Sequence, residues 1–338
     1  MSEIVENEGP SSERSVEVGV SPRKLFMVLS PRSLPYARLA LQSLNANCAE
    51  SFSLTLVTDK PDDVLELRRE LNAYEQGLGR PSLAVAVYGE AELVDLEQDR
   101  FGRYPALQQF RRGHPCWRKV SDPLLLSNDH DEMIVLDPDL YFPNRFCFEE
   151  TPAKGLLLMW QRPSCLLPDE VVEAAFAAGI SLAHHTDIGV VQWRAPVDLE
   201  WLNWLIEKLG SSRFPHHMHV ESIVWAALAM RMGGGYLDPR SWVCWHRSQY
   251  KRLLVKFGVS GPSILEREQF LGIKCFHAGG VAKWWLAAAH ARGLLDRNED
   301  VTQSTPLHPF VGLKPSYHHL LRLQRRWLQR LGYYRVLG

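Results

Sequence analysis

No apolar run in this 338-residue chain approaches the roughly 18 to 20 residues that cross a bilayer, so no membrane-spanning helix is expected. Charge of one sign is also missing: 38 lysines and arginines against 39 acids leave a net charge of -1, and no overall field favours nucleic acid. The six cysteines (Cys48, Cys116, Cys147, Cys165, Cys244 and Cys275) stand far apart with no C-x-x-C pair. That spacing excludes a dense disulfide framework and suits free thiols in a reducing compartment. No internal repeat is found, and neither GxxxxGK nor GxGxxG occurs, which disfavours a P-loop kinase and a Rossmann dehydrogenase. The opening MSEIVENEGPSSERS has neither the basic nor the apolar part of a secretory leader, so the expected location is cytoplasmic.

What is present is ample apolar content, 46%, for a large core. Residues 1–21 are rich in Glu, Ser and Gly and are expected to be a disordered tail. Short continuous apolar blocks then alternate with helical periodicity. LFMVL at 25–29 and LTLVTD at 54–59 read as strands buried on both faces, with YARLALQSL as the helix between them. Further strands are predicted near 83–88, at MIVL, at 156–160, 188–193 and 274–276, with helices near 61–74, 115–127, 169–178, 199–209 and 220–230. The order predicts one large α/β domain over 22–293, with a Rossmann-like, mixed but mostly parallel sheet flanked by helices. Residues 294–338 form a separate extension: from 311 onward there are six basic residues and no acid, in a basic amphipathic helix. Such a helix packs on the domain or lies on an anionic membrane as a peripheral contact.

Two places join a buried strand to polar residues. In MIVLDPDLYF, Asp137 and Asp139 flank Pro138 at a strand's carboxyl end, where open α/β sheets bind ligands. Residues two apart in extended chain point the same way, so both carboxylates can meet one hard cation that also takes diphosphate oxygens. Asp-Pro-Asp is also ordinary turn chemistry. In IKCFHAGGVAKWW, His277 follows a strand and precedes Gly279, Gly280, Lys283 and Trp284. Imidazole ligates Mn²⁺, glycine lets backbone approach phosphate, and a lysine can neutralise a leaving diphosphate. A hydrogen-bonded core histidine beside packing tryptophans is the plainer reading. The pairs His184-His185 and the series His216, His217, His219 have no partner at zinc spacing and read as solvated or acceptor-side residues.

The strand-DPD and HAGGVAKWW pair, in that order and about 140 residues apart, resembles the family 8 glycosyltransferases of GT-A fold, over about residues 24–290. Trp284 stands where that family has Pro. The resemblance implies a divalent cation, Mn²⁺ or Mg²⁺, held by Asp137, Asp139 and His277. It also implies a nucleotide-diphosphate sugar as donor, UDP-linked by expectation, contacted by Ser30, Tyr36, Lys119, Asp137, Gly279, Gly280, Lys283 and Trp284. TDIGVV and HVESIVW are similar to the segments that touch the donor sugar, which points to Asp187 and Glu221 as catalytic residues beside Lys283. Transfer with retention to a glycan, lipid-linked or protein acceptor is what the resemblance implies. A non-catalytic domain that binds a nucleotide sugar or a partner, and a nucleotidyltransferase, remain the alternatives; the latter normally carries a Gly-rich loop after its first strand, whereas SPRSLPYAR has no glycine.

Overall fold

The computed structural model describes residues 22–78, 84–194, 196–246 and 248–333; the tail expected to be disordered, 1–21, lies outside them. The strands are β1 (Arg23–Val28), β2 (Phe52–Val57), β3 (Ala84–Tyr88), β4 (Glu132–Leu136), β5 (Leu140–Tyr141), β6 (Arg145–Phe146) and β7 (Leu156–Trp160), followed by β8 (Thr186–Arg194), β9 (Gly234–Tyr236), β10 (Trp242–Cys244), β11 (Cys275–His277), β12 (Asp300–Val301) and β13 (His308–Pro309). Between them run α1 (Leu34–Asn47), α2 (Pro61–Leu78), α3 (Glu90–Phe101), α4 (Pro105–Arg111), α5 (Arg118–Leu125), α6 (Asp169–Ala177), α7 (Leu199–Leu209) and α8 (Val220–Met232). Four more follow: α9 (Gln249–Lys256), α10 (Gly261–Leu265), α11 (Leu286–Ala291) and α12 (Pro315–Arg330).

Eight strands form one sheet in the order β13-β9-β7-β8-β4-β1-β2-β3. β1 pairs in parallel with β2 on one side and β4 on the other, and β2 with β3, as continuous apolar blocks require when both faces are covered. β8 runs antiparallel to both β4 and β7, and β13 antiparallel to β9, which is the antiparallel addition expected for the second half. The strand order changes direction at β1, so the carboxyl ends of β1 and β4 border a topological switch point. One face of the sheet buries Trp117, Trp193 and Trp225 against α4 to α8; the other buries Leu25, Leu54 and Trp242 with α1 and α2.

A small second sheet, β10-β11-β5, lies over that second face and carries its own apolar cluster around Tyr141, Phe270 and Phe276. The region 90–111, to which the sequence reading assigns no element, holds α3 and α4. Their helical stripes are short and interrupted by buried charge: Arg111, fully buried, bonds Asp122 and Glu90 at 2.8 Å each and Glu97 at 2.5 Å. Strands of two or three residues such as β9 and β10 are also absent from the sequence prediction, being too short to show a period.

The chain after residue 293 is woven into the domain. β12 pairs with β6, and β13 is the edge strand of the main sheet. α12 docks on α6 through Arg325 with Asp169 and Arg322 with Glu173, and it buries His318. Its apolar stripe therefore faces out: Leu320, Trp327 and Leu331 are 59%, 62% and 73% exposed, with Arg326 and Arg330 exposed beside them. No helix of the described residues is long and apolar enough to cross a membrane.

Candidate active site

β4 ends at Leu136 and delivers Asp137 to the carboxyl edge, where the Asp137 amide donates to the Gly189 carbonyl of β8 at 2.9 Å. Three residues on, β5 pairs antiparallel with β11 and sets His277 opposite Leu140. The Ala278 amide then donates to the Asp139 carbonyl at 2.9 Å. This strand pairing, and nothing local to either motif, closes a gap of 138 residues between Asp139 and His277.

The side chains meet in a regular pattern. Asp137 Oδ1 accepts from Lys119 Nζ at 2.7 Å, and its Oδ2 lies 3.6 Å from His277 Nε2. Asp139 Oδ2 accepts from Lys283 Nζ at 3.3 Å, and its Oδ1 lies 3.3 Å from the same Nε2. Each carboxylate thus spends one oxygen on a lysine and turns the other toward the imidazole. Ligand atoms of Asp137, Asp139 and His277 all lie within 4.8 Å of one another, the span of a single ion's coordination sphere. The other imidazole nitrogen, Nδ1, is 2.9 Å from Asp187 Oδ1, which also accepts the Gly189 amide at 3.0 Å. A carboxylate behind a histidine fixes the ring and its tautomer, the arrangement that supports metal-ligating histidines. Oxygen, oxygen and imidazole nitrogen form a donor set that fits Mn²⁺ and similar divalent cations.

The electrostatics agree. Asp137, Asp139, Asp187 and Glu221 face two ammonium groups, Lys119 and Lys283. Lys119 Nζ sits 2.8 Å from Glu221 Oε1 as well as on Asp137, in a buried triad. The crowding of acids and bases shows in the proton affinities of these groups. Burial pushes Glu221 up to about 8, more than Lys119 lowers it. Burial opposes charge on His277, but Asp187 and Asp139 overcome it and hold the imidazole well above its ordinary range. Burial likewise raises Asp139, yet His277 and Lys283 outweigh it and hold that carboxyl at about 2; Asp137 is raised, by burial and then by Asp139 as a like charge. Glu221 Oε2 is buried without a hydrogen-bond partner among the described residues. An orphan of this kind in a native fold calls for a ligand or a water.

The other residues singled out from sequence surround this centre at its edge. Ser30 is half-buried at the carboxyl end of β1 and its carbonyl accepts the Ser33 amide at 2.9 Å. Tyr36, in the first turn of α1, is buried, donates to Ser33 Oγ at 2.9 Å and meets Trp284 edge-on at 5.1 Å between ring centroids. Lys283 Nζ lies 5.0 Å over the same Tyr36 ring, so Tyr36, Lys283 and Trp284 form one wall. Trp284 is more than half exposed. Gly279 sits where a Cβ would be 3.8 Å from His277 Nε2, and Gly280 turns the chain with φ of 66°. Lys119 is not free to reach outward, since Asp137 and Glu221 hold its Nζ.

Three contributors escaped sequence reasoning. Gly189 leaves room for the imidazole: a Cβ there would lie 2.6 Å from His277 Nδ1. Cys244 donates to Asp187 Oδ2 at 3.4 Å and lies 3.8 Å from His277 Nδ1; it pairs with His277 across β10 and β11. Gln161 accepts from Cys244 Sγ at 3.1 Å. Gly189 lies within TDIGVV, but nothing local marks it as the space for an imidazole, and only the pairing of β10 with β11 brings the Cys244 thiol in. A separate cleft of about 530 Å³ opens beyond Trp117, lined by Gln108, Arg112, Phe214 and His216, and none of the carboxylates faces it.

No family model matches this chain, and no curated protein does. Among solved structures it is similar to mouse xyloside xylosyltransferase 1 in its apo form, at 14% identity, covering 76% of this chain and 98% of that one, with a TM-score of 0.46. It is similar to a galactosyltransferase in complex with donor and acceptor sugar analogues, at 14% identity over 80% and 92% of the two chains, TM-score 0.46. A third is core-mannan synthase A from Aspergillus fumigatus in its Mn/GDP form, at 11% identity over 69% and 79%, TM-score 0.39. With TM-scores below 0.5, each is a likeness and no more.

Proposed function

We propose that this protein is a metal-dependent glycosyltransferase that takes a sugar from a nucleotide-diphosphate donor, with UDP as the nucleotide, and passes it with retention to an acceptor hydroxyl. The observation that carries the reading is the convergence of Asp137, Asp139 and His277 at a switch point of the sheet, each carboxylate turning one oxygen to the imidazole while a lysine holds the other. Mn²⁺ or Mg²⁺ bound there would shield the diphosphate and stabilise its charge as it leaves.

The chain's own groups have the remaining work. Lys283, partly exposed beside Asp139, is the cation available to the leaving diphosphate. Trp284, more than half exposed and backed by Tyr36, offers an aromatic face beside it for the base, next to Ser30 and the glycines Gly279 and Gly280. Lys119 keeps Asp137 and Glu221 in register, and Asp187 orients His277. The free oxygen of Glu221 suits a donor-sugar hydroxyl, or the positive charge that grows at the anomeric carbon once Glu221 is ionised. In the transfer, the acceptor oxygen bonds to the anomeric carbon as the bond to the β-phosphate oxygen breaks, and the acceptor proton leaves with the nucleoside diphosphate. The outward stripe of α12, apolar with arginines alongside, supports a peripheral contact with anionic lipid.

A thermal-shift screen of UDP-, GDP- and ADP-sugars with Mn²⁺ tests the reading. One donor class should raise Tm, and the rise should vanish in Asp139→Ala, since stabilisation reports binding to the folded state alone. Mn²⁺-dependent release of UDP without acceptor separates an enzyme from a domain that only binds the donor.

A further inference from the structure

The edge of the site carries a second group of side chains that cation and diphosphate do not use. β7 ends at Trp160 and passes into Gln161 and Arg162. Gln161 is tied twice to His185: its amide donates to the His185 carbonyl at 2.9 Å, and its carbonyl lies 3.0 Å from His185 Nδ1. His185 has φ of 62°, in the left-handed region that residues with a Cβ seldom occupy. Held there, its ring faces Trp160 at 5.0 Å between centroids, and the His184 ring lies 3.7 Å from it. The row is one side chain from the catalytic centre, because Cys244 bridges Gln161 Oε1 and Asp187 Oδ2, and Asp187 holds His277.

Beside this row stands Arg162, exposed and without an ion pair among the described residues. Arg162 follows Gln161 directly in the chain, and its positive charge is felt, after burial, by the imidazoles of His184, His185 and His246, all held below their ordinary range. Asp187 is committed to His277, and Asp169 and Glu173 of α6 to Arg325 and Arg322. An exposed guanidinium without an ion pair, two residues along the chain from the Trp160 and His185 ring pair, matches a phosphate or carboxylate attached to a ring that stacks.

We propose that Trp160, His185 and Arg162 form the acceptor subsite, and that the acceptor is a saccharide bearing an anionic group, phosphate or carboxylate, next to the sugar that is extended. This rests on the glycosyltransferase reading. Tyr317, at the start of α12, lies 5.2 Å from the His184 ring, so the outward apolar stripe begins beside the subsite.

The test measures UDP release by the full chain with Mn²⁺ and its preferred donor. Three probes are offered: octyl lactoside, which is neutral; octyl glucuronoside, which carries a carboxylate; and dodecyl diphospho-N-acetylglucosamine, a lipid-linked pyrophosphate. At least one anionic probe should show a KM at least tenfold below that of the neutral one, and which of the two does so identifies the source of the charge. Arg162→Ala should erase that preference by raising KM with kcat little changed, and Arg162→Lys should restore part of it. Equal or better use of the neutral probe overturns the proposal, as does an unchanged preference in Arg162→Ala. So does calorimetry in which neither anionic probe binds the protein loaded with UDP and Mn²⁺. Failure of the underlying reading looks different: the wild-type protein would release no UDP from any donor.

Discussion

Gly189→Ala is a one-carbon change that should cripple the proposed metal site without substituting any of its ligands. The new Cβ would lie 2.6 Å from His277 Nδ1, 2.8 Å from its Cγ and 3.1 Å from Asp187 Oδ1. None of these atoms can yield cheaply. The imidazole belongs to β11, which is paired on both sides, and its ring is pinned by Asp187 on Nδ1 and by two carboxylates facing Nε2. Nor can Gly189 retreat, because β8 is hydrogen-bonded to β4 and β7. Relief to an ordinary van der Waals separation of about 3.5 Å requires a shift approaching 1 Å, and the ring with its Asp187 partner must supply it. Disturbing the support of a metal-ligating histidine costs about 10- to 100-fold in metal affinity, or roughly 1.4 to 2.7 kcal/mol; overpacking should cost about 1 to 3 kcal/mol of stability. Mn²⁺ titration by electron paramagnetic resonance, with a melting curve on the same sample, reads both. A folded variant whose Mn²⁺ affinity stays within twofold of wild type would refute the claim that His277 is a ligand held by this packing.

Three further outcomes are expected. Lys119→Ala strands two acids in a buried site and should destabilise by about 3 to 5 kcal/mol; adding Glu221→Leu should recover part of that loss in denaturant titrations, and strictly additive losses would count against the triad. Glu221, lifted from its ordinary 4.5 to about 8 by burial, binds its proton more tightly folded than unfolded, so the stability it lends is present below about 4.5 and declines as pH rises through about 8. The Glu221→Gln variant should therefore gain on wild type as pH rises from 5 to 8, and a constant gap in urea midpoints across that range would contradict the assignment. Trp327→Glu or Leu320→Glu should each weaken binding to phosphatidylglycerol vesicles about tenfold, given ~1.5 to 3 kcal/mol for burying a large apolar side chain; co-sedimentation of wild type and variants to the same extent, or of neither, would remove the membrane role of α12.

The sequence by itself determined the frame. Continuous apolar blocks such as LFMVL and MIVL, short and bounded by turn residues, are the pattern of strands covered on both faces, which made an α/β sheet legible along with the carboxyl-terminal ends where Asp137 and His277 fall. It marked the residues whose types carry the chemistry, because Asp-Pro-Asp and His-Ala-Gly-Gly are local patterns. Tertiary structure alone decided what those residues touch. Cys244 and Gly189 reach His277 through strand pairing and through the space a missing Cβ leaves, neither of which has a period or a motif. Lys119 reads in sequence as one basic residue on a helix, and its commitment to both Asp137 and Glu221 follows from α5 and α8 packing on the same face of the sheet. The stripe on α12 was equally visible in the sequence, but its outward direction was set by where Asp169 and Glu173 stand on α6. Periodicity fixes which residues share a face; the partner across the gap fixes which way that face turns.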